Sequence, residues 1–161
     1  MKTIGSTIIM LALASSLFAD NGKELKLASP DGTHEIVFYQ KQVSPAVNEL
    51  CYRVDYKSQP VVNESRAGLE LDNRIWEMAL GVRNLKQPAC WMDNLEVDSV
   101  TYQPETNLTW QPLYGERSSV HDHYRAGTLC LSKKDNSGYR LNIEVRAYNE
   151  GVAFRYFFPE H

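Results

Sequence analysis

Apolar and polar residues alternate with a period of two along most of this chain, the spacing of half-buried β-strands. The alternation is cleanest near the end of the sequence. In residues 139–148, Leu141, Ile143, Val145 and Ala147 face one way, and Arg140, Asn142, Glu144, Arg146 and Tyr148 face the other. Asn149-Glu150-Gly151 then turns the chain. Val152, Phe154, Tyr156 and Phe158 next alternate with Ala153, Arg155 and Phe157. The same pattern predicts strands over residues 24–29, 34–40, 47–57 and 95–103, a strand-like run over 120–131 and a strand over 124–133. In residues 47–57, Leu50, Tyr52, Val54 and Tyr56 share one face, and Cys51, Arg53 and Asp55 share the other.

Turn chemistry punctuates these runs. Ser29-Pro30-Asp31-Gly32 and Asp135-Asn136-Ser137-Gly138 are hairpin signals, and Ser58-Gln59-Pro60 is a further turn. Residues 61–62 and 65–71 continue the β pattern, with Gly68 marking a bulge or a close approach of backbone. Residues 74–92 fit neither helix nor strand cleanly, and Pro88 interrupts them. The chain shows no internal repeat, no low-complexity linker and no long amphipathic helix. The expected fold class is therefore all-β, a β-sandwich.

Residues 1–19 stand apart from that fold. Lys2 supplies a positive start, Ile8 to Ala14 an apolar centre, and small residues follow, which is the pattern of a signal peptide cleaved after Ala19. The expectation is an exported protein whose residues 20–161 form one domain, with no membrane span after the leader. A formal charge of −3 and the absence of a basic run argue against nucleic acid as the partner. Cys51, Cys90 and Cys130 are an odd set without C-x-x-C spacing. They are expected to be mostly unpaired, buried thiols, with no structural zinc.

Candidate chemistry concentrates in residues 109–124, T-W-Q-P-L-Y-G-E-R-S-S-V-H-D-H-Y. Gly115 permits a backbone turn and Pro112 suits an entry loop or strand edge, so the stretch reads as a loop entering a strand. Two readings of Trp110 and Tyr114 stand side by side. They cap the core, or they contact a sugar or a neighbouring domain. Glycoside hydrolysis needs two carboxyl groups about 5–10 Å apart. Glu105, Glu116 and Asp122 are the available acids, and nothing in the spacing pairs them. His121 and His123, two apart on one strand face, could join Glu116 at a metal; a surface and a packing histidine is the plainer reading.

Four segments together carry a resemblance to a known family: residues 29–32, 60–71, 109–124 and 139–160. In that order they resemble the N-terminal domain of glycoside hydrolase family 97, and they span nearly all of the chain after its leader. The resemblance implies a galactose-mutarotase-like sandwich, here incomplete, packed on a catalytic (β/α)8 barrel. It implies exported bacterial enzymes, periplasmic or secreted, that cleave α-glucosides or α-galactosides, with calcium held by glutamates in the active site.

The sequence lacks that barrel. The strongly apolar run into Phe158 suggests an interior point of a larger protein. By the resemblance the catalytic carboxylates and the calcium ligands belong to the absent part, so no catalytic residue and no cofactor is expected in this chain. Where His121 and Asp122 stand, family members usually carry a basic residue and an amide; His123 and Tyr124 match. The expected role is non-catalytic support of a carbohydrate site. Trp110, Tyr114, Gly115, Glu116, His123 and Tyr124 are the candidates for sugar contact or for the seam with the barrel. The alternatives are a free-standing carbohydrate-binding module and an inactive fragment.

Overall fold

The computed structural model describes residues 23–45, 47–70, 78, 90–134 and 138–159. The leader, most of residues 74–92, the turn residues 135–137 and the chain end at 160–161 lie outside the described residues.

Among the described residues, nine strands form two antiparallel sheets. The first sheet holds β1 (Glu24–Ala28), β2 (His34–Ser44), β3 (Val47–Tyr56) and β4 (Gln59–Arg66) in simple meander order. The second holds β5 (Leu95–Tyr102), β6 (Thr106–Trp110), β7 (Val120–Lys133), β8 (Arg140–Tyr148) and β9 (Gly151–Phe157). Its order is β5-β7-β8-β9. Strand β7 is long enough to pair twice along one edge, with β5 through residues 127–133 and with β6 through residues 120–124.

The alternation in the sequence becomes the core. Leu25, Leu27, Ile36, Phe38, Leu50 and Val54 of the first sheet meet Leu95, Val97, Leu129, Leu131, Leu141, Ile143, Val145 and Ala147 of the second. Phe38 meets Phe154 edge-on across the sandwich, with ring centroids 5.3 Å apart. Each buried Leu, Ile or Phe side chain contributes roughly 1.5–3 kcal/mol by leaving water. The expected all-β sandwich is therefore what forms, with the predicted facing of residues 139–148 intact; in residues 47–57 Leu50 and Val54 are buried as expected, but Cys51 is buried as well and Tyr56 is exposed.

The turns are specific. Gly32 sits at φ 73° and donates to Ser29 O at 2.9 Å. The Asp31 carboxylate accepts from Ser29 Oγ (2.6 Å), Thr33 N (3.0 Å) and Thr33 Oγ1 (2.9 Å). Those bonds, Ser29's first, draw its pKa down to about 2. Asp31 N also donates to Asn149 Oδ1 at 3.1 Å, which ties this turn to the β8–β9 turn. Gly68 is a close approach as expected: a Cβ there would lie 2.5 Å from Trp91 O and 2.8 Å from Met92 Cα.

Three expectations need correction. The turn after β3 is Lys57-Ser58, at φ 49° and 63°, so Pro60 lies inside β4 rather than in the turn. It is tolerated because β4 is an edge strand. Residues 106–110 form a strand of their own, β6, so Trp110 ends a strand instead of opening a loop. All three cysteines are free, but only Cys51 is buried; Cys90 and Cys130 are half-buried. Burial, then Glu64 and Glu49, pushes the Cys51 pKa above its ordinary value, so the thiol is a weaker acid than usual.

Candidate functional site

Before residue 127 β7 is not flanked by β5, and over residues 120–124 β6 takes that place. Strand β6 and the first half of β7 form an arm closed by residues 111–119. Its register pairs Thr106 with Tyr124, Leu108 with Asp122 and Trp110 with Val120. Asn107 pairs with His123 and Thr109 with His121. Because side chains alternate across a strand, this register gives the arm two unlike faces.

One face carries Leu108, Trp110, Val120 and Tyr124, with Thr106 and Asp122 among them. Leu108 is 63% exposed and Trp110 51%. The loop beyond adds Leu113 at 98% and Tyr114 at 89%. Gly115 follows at φ 124°, a conformation that side-chain-bearing residues resist. At the root of this face Tyr124 lies 5.2 Å from Tyr148 by ring centroids, and the Arg146 guanidinium sits over the Tyr124 ring at 4.4 Å. Arg146 also donates to Tyr148 Oη at 3.3 Å, the main reason its acidity is further weakened.

The other face is polar and already paired. The rings of His121 and His123 lie 5.6 Å apart. His121 Nε2 is 2.8 Å from Asn107 Oδ1, and His123 Nε2 is 2.7 Å from Glu105 Oε1. Arg125 Nε donates to Glu105 Oε2 at 2.9 Å, and its Nη2 reaches Pro30 O at 3.5 Å. Those two donors, His123 foremost, hold the Glu105 carboxyl below its ordinary range. A carboxylate so held is a poor proton donor near neutral pH. Glu105 is therefore a brace between the arm and the β1–β2 turn.

The arrangement sorts the sequence candidates. Trp110, Tyr114 and Tyr124 lie along the apolar face and its loop, with Gly115 and the exposed Glu116 beside them. His123 is on the opposite face, so it does not join those aromatics in one lining. Leu108, Leu113, Arg146 and Tyr148 belong with the apolar face and were not singled out by sequence. The alternating N-L-T-W run was the available signal for Leu108. Between arm root and sheet lies a shallow pocket of about 520 Å³, lined by Tyr124, Thr128, Glu144, Arg146 and Arg155 among others. Arg155 Nε donates to Glu144 Oε2 at 2.5 Å there.

No group of three or more His, Cys, Asp or Glu side chains converges to hold a metal ion among the described residues. The described residues thus do not fit the calcium that the family resemblance implies. No helix among them is long and apolar enough to cross a membrane.

The fold is similar to part of solved glycoside hydrolases. A family 97 enzyme from Pseudoalteromonas sp. strain K8, solved with panose and with acarbose, superimposes with a TM-score of 0.67 at 27% identity. The match covers 85% of this chain and 18% of that one. A β-arabinopyranosidase shares the fold, with a TM-score of 0.63 at 19% identity. The sequence profile described as Glycosyl-hydrolase 97 N-terminal matches residues 27–161, and the chain belongs to that family. A retaining α-galactosidase of Bacteroides thetaiotaomicron is 25% identical over 150 residues. That alignment takes in 93% of this chain and 19% of the relative, so the chain spans about a fifth of the relatives' length.

Proposed function

We propose that this chain is the non-catalytic, supporting N-terminal domain of an exported α-glycosidase that hydrolyses α-glucosides or α-galactosides. The observation that carries this reading is the family match over residues 27–161 in a chain one-fifth as long as its relatives. The remaining four-fifths of such a protein would supply the barrel, the catalytic carboxylates and the calcium ligands. Residues 1–19 would direct export to the periplasm or beyond. Trp110, Tyr114, Gly115, Glu116 and Tyr124 would form the edge of the sugar site or its seam with the barrel. On geometry, His123 would stiffen the arm from behind.

The test begins with the reading frame past the codon for His161. A barrel in frame is the expected result. The complete protein, assayed on p-nitrophenyl α-galactoside and α-glucoside, should then lose about tenfold or more in kcat/KM when Trp110→Ala and Tyr114→Ala are combined. A stop codon followed by an unrelated gene would overturn the reading. Binding of maltooligosaccharides by the purified chain would then make it a carbohydrate-binding module, and no binding an inactive fragment.

A further inference from the structure

The arm has two faces, and a partner can cover one and leave the other in water. We propose that the face bearing Leu108 and Trp110 is the one that the catalytic part of the protein covers, while the His121–His123 face stays in solvent. This inference rests on the supporting-domain reading above and goes beyond it by choosing the face and adding Leu108 and Leu113 to the seam.

Three observations carry it. First, the apolar side chains are spent on nothing inside the domain. Leu108, Trp110, Leu113 and Tyr114 are exposed and lie outside the core cluster. The Trp110 and Tyr114 rings have no ring or hydrogen-bond partner in the described residues. Exposed apolar groups of this kind, here with Asp122 opposite Leu108, mark association surfaces, where aromatic residues concentrate. Second, the opposite face is self-sufficient. The His121–Asn107 and His123–Glu105 bonds satisfy its polar groups within the arm, so a partner there would bury ready-made polar pairs for little gain. Third, the apolar face runs on into the Tyr124–Arg146–Tyr148 group, and stacked tyrosine and arginine are the residue types that anchor interfaces. The occupant is the catalytic part because the relatives carry about four-fifths of their length outside the matched region.

The test uses the complete protein with Leu108→Cys or Thr109→Cys and measures maleimide labelling rates against the parent, whose own cysteines, Cys51, Cys90 and Cys130 among them, set the background. Both positions are exposed in the domain, so neither substitution disturbs the core. Leu108→Cys should label at least about tenfold more slowly than Thr109→Cys, the protection expected when reaction needs local opening. Equal fast labelling, or slower labelling of Thr109→Cys, overturns the choice of face. Hydrolysis of α-glycosides by the same preparations separates the two readings. An active enzyme with fast-labelling Leu108→Cys keeps the supporting role and loses the face assignment. A locus that encodes no catalytic part removes both.

Discussion

The sandwich interior and the β6–β7 arm are built from similar residues put to opposite uses. In the interior, Phe38, Ile36, Leu129 and Ile143 are fully buried, and Phe38 is gripped by Tyr52 and Phe154 at 5.6 and 5.3 Å. On the arm, Trp110 and Tyr114 are among the most exposed large side chains described. The difference lies in layering. The core lies between the two sheets, whereas the arm extends past the pairing of β7 with β5, and among the described residues its Leu108 and Trp110 stay exposed. The interior has the arrangement that stabilises a fold, and the arm has the arrangement that meets something else.

The largest expected effect separates the two regions directly. Phe38→Ala should cost about 3–5 kcal/mol in urea unfolding, from lost burial plus the cavity left behind. Trp110→Ala in the same chain should stay within about 0.5 kcal/mol. Comparable losses at both positions would mean that the arm is part of the core after all. Gly68→Ala comes next, at about 2–3 kcal/mol. Gly68 sits at φ 148° and a methyl group would run into the backbone of Trp91 and Met92, which cannot swing aside as a side-chain tip would. An unchanged unfolding midpoint would show that the 67–70 and 91–92 segments part easily.

The interior was the legible region. Alternation in residues 139–158 specified both which strands form and which side chains they bury, because β8 and β9 are joined by a tight turn that fixes their register. Asp31 and Gly32 announced the first hairpin for the same reason. The arm was less legible for physical causes. Strand β6 is only five residues long, with polar residues between its apolar ones, and it gains its identity from pairing with β7 rather than from propensity. Its register is set across the long loop of residues 111–119, which no turn rule fixes. Sequence therefore could not say that His123 and Trp110 look in opposite directions. The Lys57-Ser58 turn was displaced by a residue or two because left-handed backbone there is taken up without glycine. The family resemblance located the candidate residues as a group; only the register divided them.

A smaller effect comes from the turn that the core shares with the arm root. The Asp31 carboxyl falls from its ordinary 3.8 to about 2 on folding, through bonds from Ser29 and Thr33. A lowered folded-state value means that its stabilisation is fully present above pH about 4 and fades as pH drops through about 2. Thermal scans between those values should show a stability loss that Asp31→Asn reduces. An identical slope in the variant would place the acid sensitivity in other carboxylates.

The smallest expected effect concerns the brace behind the arm, and it bears most directly on the comparison. Glu105 receives His123 and Arg125 at once, and Arg125 reaches on to Pro30, so one carboxylate couples the arm to the β1–β2 turn. These groups are exposed enough that water screens them, and surface ion pairs contribute little to global stability. Their effect should be local. Glu105→Gln should move the melting temperature by no more than about 2 °C, in keeping with a surface pair of this kind. Amide hydrogen exchange in residues 106–110 and 120–124 should meanwhile quicken a few-fold, with β8 unchanged. Because pairing lowers the Glu105 pKa from its ordinary 4.5, the parent's brace holds above that pH and releases as pH falls through the lowered value. The parent should then exchange like the variant in the arm. Faster exchange throughout β7 and β8 would show that arm and core open as one unit, and no change anywhere would mean that strand pairing alone holds the arm. Only a change confined to the arm supports the division drawn here, in which a stable sandwich carries a separately braced surface toward its partner.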